Sequence, residues 1–356
     1  MSSHPYKQVP QTAFWKQGVA EGFDLNSVMG PVVLVRAGDK VASAGSCFAA
    51  NIVPYLEKAG FHYIRRGQLR APFCNLGPEN FSYAKFSAAY GNIYTARAMA
   101  QLLQRALGRF RPIEDRWIAE DGTIIDPFRP GLKYPSESHA EFDQLMARYL
   151  SDVLEVVRSA DVFVFTLGLT EAWISSADGA VFPACPGTIA GRFDPARHKF
   201  HNFTVAEVIA DLNEVIRLWR EINPGIRVIL TVSPVPLVAT ATGDHVLPAT
   251  IYSKSVLRAA AGEVARQHED VTYFPAYEIV TGPQAPYEFF EADRREPSKM
   301  AIDAVMSVLL AHCETTQGGG IFQPETVAPR PNFSQMAMRL SQIVADAECE
   351  EAAAGL

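Results

Sequence analysis

The run Asp161-Val162-Phe163-Val164-Phe165-Thr166-Leu167 admits few folds. It is apolar without alternation and rich in β-branched and aromatic side chains, so as a strand it must be covered on both faces, as strands of parallel sheets between helices are. Arg227-Val228-Ile229-Leu230-Thr231-Val232 repeats the pattern, and Val41-Ala42-Ser43-Ala44 and Val271-Thr272-Tyr273-Phe274-Pro275 are shorter versions of it. Between these runs the apolar residues recur at helical spacing, predicting helices over 47–59, 95–108, 137–159, 204–222, 253–267 and 297–312. Gly60 and Gly108 suit the positions after two of these helices, and Thr204 with Glu207 forms a capping box at the start of another. Strands alternating with helices in this way predict an α/β fold, a parallel sheet between two helical layers.

The remaining segments read as additions. Residues 1–30 form an N-terminal arm that Trp15, Phe23 and Leu25 can pin to a core, residues 31–313 hold the main unit, and 314–356 form a tail with a docked helix over 333–348. Val32-Val33-Leu34-Val35 reads as an extra short strand, Asp121-Gly122 as the turn of a β-hairpin, and 65–94 and 174–200 as long irregular insertions. The net charge of −7 argues against a nucleic-acid surface. No apolar stretch is long enough to span a membrane, and the N-terminus lacks the pattern of a secretory signal, so a cytoplasmic location is expected. Five scattered cysteines without a CxxC pair support neither a disulfide framework nor a zinc site.

In parallel sheets ligands bind beyond the carboxyl ends of the strands. That rule selects Ser46, the segment Gly168 to Trp173, the segment Ser233 to His245, and Ala276 to Glu296. Ser46 stands at a sharp turn between the first strand and the first helix, where it is either a nucleophile or an N-cap. The neighbouring Cys47 thiol is a rival nucleophile. His198 and His201 read as part of a solvated basic face, and Trp117 and Trp173 as core or pocket lining.

Gly45-Ser46-Cys47-Phe48-Ala49 spells the motif of the GSCFA family, which resembles the SGNH (GDSL-type) esterases and acyltransferases. Gly91-Asn92-Ile93-Tyr94, Thr166-Leu167-Gly168, Thr231-Val232-Ser233-Pro234-Val235, Ser253-Lys254-Ser255 and Tyr273 to Glu278 resemble that family too. The resemblance implies a three-layer flavodoxin-like α/β/α sandwich of SGNH-hydrolase type, in which Ser46 attacks an ester or acyl carbonyl. It also implies an oxyanion hole built from the Ser46 N–H, the Gly91 N–H and a polar side chain, for which Asn92 and Thr170 are the candidates. Glu171 and Trp173 are then expected to orient groups or bind substrate.

The superfamily's basic His is replaced here by Glu296, in Asp293-Arg294-Arg295-Glu296. His245, oriented by Asp244, Asp293 or Glu296, is one substitute base; Asp293 or Glu296 with a raised pKa is another. The function expected is an O-acyl esterase or acyltransferase working through an acyl-Ser46 intermediate on a glycan-like or small acylated substrate, without metal or organic cofactor. A catalytically idle binding protein on the same scaffold is the alternative. Oligomeric state is open, a homo-oligomer included.

Overall fold

The computed structural model describes residues 4–21, 23–67, 86–132 and 135–314. Cys74 and most of the 65–94 insertion, and the helix expected at 333–348, lie outside the described residues. In chain order the strands are β1 (Lys40–Gly45), β2 (His62–Tyr63), β3 (Trp117–Ile118), β4 (Ile124–Ile125), β5 (Val162–Leu167), β6 (Glu171–Ser175), β7 (Val181–Phe182), β8 (His198–Asn202), β9 (Arg227–Val232) and β10 (Val271–Phe274). The helices are α1 (Ile52–Lys58), α2 (Ala96–Ala106), α3 (His139–Ser159), α4 (Val205–Ile222), α5 (Val246–Gln267), α6 (Ala276–Thr281) and α7 (Lys299–Ala311).

Strands β2, β1, β5, β9 and β10 lie side by side in that order, every neighbouring pair parallel. Counting only these five in chain order, the sheet runs 2-1-3-4-5, the flavodoxin-like arrangement, whose order reverses between β1 and β5. Successive side chains of a strand point to opposite faces, and the core divides accordingly. Ala42, Ala44, Phe163, Phe165, Val228 and Leu230 pack under α2 to α5. Val41, Val162, Val164, Ile229 and Phe274 pack under α1, α6 and α7. The result is a three-layer α/β/α sandwich, and the continuous apolar runs follow from the two covers.

Several local expectations change. Val32 to Val35 form no strand: Leu34 N–H donates to His312 O and Val35 makes one bridge to Cys313, so the segment clasps the end of α7 instead of joining the sheet. The first helix is split, with a 3₁₀ turn at Cys47–Asn51 before α1, whose first turn contains Pro54. A proline there costs no internal hydrogen bond. The insertion after β5 is not irregular: β7, β6 and β8 make a small antiparallel sheet beside the main one. Helix α5 begins at Val246, before the expected Ser253, because His245 caps it and Pro248 fits its first turn. Trp15 is 67% exposed and pins nothing, whereas Leu25, Val28 and Met29 of the arm do pack on the core. The Asp121-Gly122 hairpin forms as expected, as β3 with β4.

Candidate active site

The turn after β1 is dictated by Gly45. Its φ is +143°, and a Cβ there would lie 2.3 Å from Thr166 O, so no other residue fits. The turn is held from both sides: Ser46 N–H donates to Thr166 O at 3.2 Å, and Ile93 N–H donates to Gly45 O at 2.8 Å. Ser46 occupies the N-cap position of the 3₁₀ turn, yet its side chain caps nothing. The residue is 3% exposed, and among the described residues its Oγ has no hydrogen-bond partner. A buried hydroxyl left without a partner costs about 1–3 kcal/mol, so the capping account fails and a reason for the placement is needed.

Ser46 opens into a narrow cleft. Its walls are Ser46 and Cys47, Tyr94, Gly168 and Leu169, Ser233 and Val235 to Val238, and Arg295. All four segments singled out at the strand ends therefore reach the same place, at the point where the strand order reverses. Gly168 is pressed against the serine: a Cβ there would come within 3.2 Å of Ser46 Cβ and 3.0 Å of Tyr94 Cδ1. Arg295 is delivered by a tight turn in which Asp293 Oδ1 accepts from Arg295 N–H (2.9 Å) and Glu296 N–H (3.1 Å). Within that turn Arg294 has φ +60°, alone among the described non-glycine residues in being left-handed. Arg295 Nη1 then lies 3.3 Å from Glu296 Oε1.

One face of α5 holds the cleft's loops. Leu237 N–H donates to Thr250 Oγ1 at 3.2 Å, Thr170 N–H donates to Ser253 Oγ at 3.0 Å, and Lys254 Nζ donates to Gly168 O at 2.6 Å. Positions three and four apart share a helix face, which is why these residues act as one stripe. Lys254 is 1% exposed and has no ion-pair partner among the described residues. Burial pulls its ammonium down from 10.5 to about 7; Cys47 opposes the shift and Arg295 adds to it. Lys254 carried no role in the sequence reading, although its place one turn before the buried Leu257 is a usable signal.

The other expected residues fall elsewhere. His245 is an exposed cap whose Nδ1 accepts from Leu247 N–H at 3.1 Å, so the Nε2 nitrogen carries the proton and the ring is not positioned as a base for the buried Ser46. Asp293 is exposed and spent on its turn, and Glu296 faces Arg295; neither lines the cleft. The Ser46 N–H is committed to Thr166 O, and the Thr170 hydroxyl donates to Asn202 Oδ1 at 2.6 Å, which removes both from an oxyanion hole. Gly91 (φ +66°) lies against Arg129, and Asn92 donates to Tyr94 Oη at 3.1 Å from a separate cavity. Glu171 and Trp173 line a second, wider cleft with Phe200 and Thr240, and Val238 belongs to both clefts. Glu171 Oε1 accepts from Thr240 Oγ1 at 2.6 Å, and Trp173 meets Phe193 and Phe200 edge-on. Trp117, His198 and His201 are structural: the first two share Glu114, and His201 bonds Glu207.

The sequence model of the GSCFA family matches residues 40–308, which includes every strand end around the cleft. This chain belongs to the GSCFA family. Among solved structures, the GSCFA chain is similar to a carbohydrate esterase family 3 protein from Talaromyces cellulolyticus, at 11% identity over 86% of this chain and 99% of that one, with a TM-score of 0.35. It is also similar to an acetyl esterase variant holding an acetate ion, at 12% identity over 86% and 99% of the two chains with a TM-score of 0.34. A salicylyl-acyltransferase of a tetracycline biosynthetic pathway matches at 16% identity over 44% of this chain and 38% of that one, with a TM-score of 0.26. No curated protein matches. Among the described residues of this GSCFA chain no cluster of three His, Cys, Asp or Glu could hold a metal ion, and no helix is long and apolar enough to cross a membrane.

Proposed function

We propose that this GSCFA protein is a serine-dependent O-acyl esterase or acyltransferase with Ser46 as its nucleophile. One observation carries the reading: a buried Oγ without a partner among the described residues opens into the cleft at the reversal point of the sheet. A hydroxyl there costs stability and gains nothing unless a substrate meets it. An acyl carbonyl entering the cleft takes the Oγ–carbon bond, and the carbonyl electron pair moves onto its oxygen. In this reading Arg295, a wall of the same cleft, supplies the positive charge that offsets the negative charge that develops. The alcohol part of the ester extends past Val238 into the second cleft, where Trp173, Phe200 and the Thr240 and Glu171 polar groups offer the mixed apolar and hydrogen-bonding surface that suits a glycan-like substrate. Water or an acceptor hydroxyl then releases the acyl group from Ser46.

The test is labelling with a fluorophosphonate and turnover of short p-nitrophenyl esters, comparing the native protein with Ser46→Ala. Labelling and turnover are expected in the native protein and absent in the variant. Ser46→Ala should also melt no lower than the native protein, because it removes an unsatisfied hydroxyl. A native protein that neither labels nor turns over substrate would favour the idle binding protein, a reading motivated by Glu296 in the place of the basic histidine.

A further inference from the structure

A serine hydroxyl needs a proton acceptor, and among the described residues no imidazole lines the cleft. We propose that Lys254 is the general base of Ser46, an inference that rests on the esterase reading. Three observations place it. Lys254 Nζ is bonded at 2.6 Å to the carbonyl of Gly168, the residue whose α-carbon is packed against Ser46. Cys47 and Arg295, whose charges act on Lys254, are both walls of the Ser46 cleft, so the amine is buried close to that wall without itself lining the cleft. A fully buried lysine with no carboxylate partner among the described residues is an expensive structural staple, because the same Gly168 carbonyl could be met by a neutral donor.

Burial also provides the protonation state required, since an ammonium held down to about 7 is substantially neutral at ordinary pH. A neutral amine that donates one N–H to Gly168 O retains its lone pair. Among the described residues the resting Oγ has no partner, so transfer requires Nζ to leave Gly168 O and come within hydrogen-bond reach of Oγ. The Ser46 proton passes to the Nζ lone pair as the Oγ–carbon bond forms and the oxyanion appears. Collapse of the oxyanion breaks the bond to the leaving alkoxide, which takes the proton from the ammonium. In the second half the attacking water or hydroxyl gives its proton to Nζ, and Nζ returns it to Oγ as the acyl–Ser46 bond breaks.

The experiment follows the rate of fluorophosphonate labelling of Ser46 against pH in the native protein, Lys254→Met and Lys254→Ala, with Ser46→Ala as the blank. The native rate should rise with pH through one ionisation near 7. Lys254→Met should lose that limb and label about 100-fold or more slowly. Small alkylamines should restore labelling to Lys254→Ala, the faster the more basic the amine, a dependence that a packing defect does not produce. A native protein that labels with a flat profile through neutral pH overturns the assignment without recourse to any variant. So does a Lys254→Met protein that keeps the native rate and limb; in both cases Ser46 stands as nucleophile with another base. A native protein that never labels overturns both readings together.

Discussion

At the scale of single residues, the site trades stability for placement. Ser46 Oγ and Lys254 Nζ are both buried polar groups that a protein built only for stability would omit. For Lys254 the trade has a pH signature. Its folded pKa, about 7, lies below the ordinary 10.5, so between those values the unfolded chain holds a proton that the folded chain has shed. Stability then rises with pH across that window, and the full penalty is present below it. Lys254→Met lacks the group, so it should be the more stable protein at the acid end of the window. Its advantage should shrink by up to about 1.4 kcal/mol per pH unit as pH rises. Urea unfolding of the two proteins across the window checks this, and a gap independent of pH would contradict the buried charge.

Legibility at this scale was uneven. The turn at Ser46 was legible because Gly45 and the end of an apolar run mark a turn in any chain. The turn alone left Ser46 open between N-cap and nucleophile, and only the GSCFA resemblance favoured the nucleophile. Lys254 was harder, since a lysine in a helix ordinarily reads as surface, and only the buried Leu257 and Ala261 on the same face betray its position. His245 misled because closeness in sequence to a strand end says nothing about side-chain commitment; the helix that starts beside it claims its ring.

At the scale of elements, the local rules were legible wherever both faces were covered. The runs at β5 and β9 and the helix starts at Thr95 and Thr204 all depend on neighbours a few residues away. The small sheet of β6, β7 and β8 was not legible, because its short strands carry aromatic and basic residues without clean alternation and pair only across a long excursion. A tie between elements shows what holds the layers in register. Asn223, which ends α4, donates through Nδ2 to Val157 O (3.0 Å) and Ala160 O (2.7 Å), fastening the end of α3 and the entry to β5. Asn223→Ala leaves those carbonyls without their donor and should cost about 1–3 kcal/mol in a denaturant melt, with the cleft chemistry unchanged.

At the scale of the molecule, the two clefts draw on different parts of the chain. The sheet's strand ends carry Ser46, Gly168 and Ser233, whereas the insertion after β5 contributes Trp173 and Phe200 to the second cleft. Trp173→Ala should therefore raise KM for bulky or glycan-like esters by about tenfold while leaving turnover of a short p-nitrophenyl ester within a few-fold, because truncating a half-buried aromatic that a substrate would cover costs about 1–3 kcal/mol of binding. Equal losses on both substrates would place the tryptophan in the fold and not in recognition.

The stripe on α5 has a consequence for motion. Thr250 and Ser253 are one turn apart on a single rigid helix, and they hold the amides of Leu237 and Thr170, which belong to loops from different strands. Neither lip of the cleft can lift alone without stripping a hydroxyl from its amide, so the two lips form one cooperative opening unit. In native-state hydrogen exchange the Leu237 and Thr170 amides should share one opening free energy. Protection factors that differ by more than about tenfold, roughly 1.4 kcal/mol, would mean that the lips breathe separately.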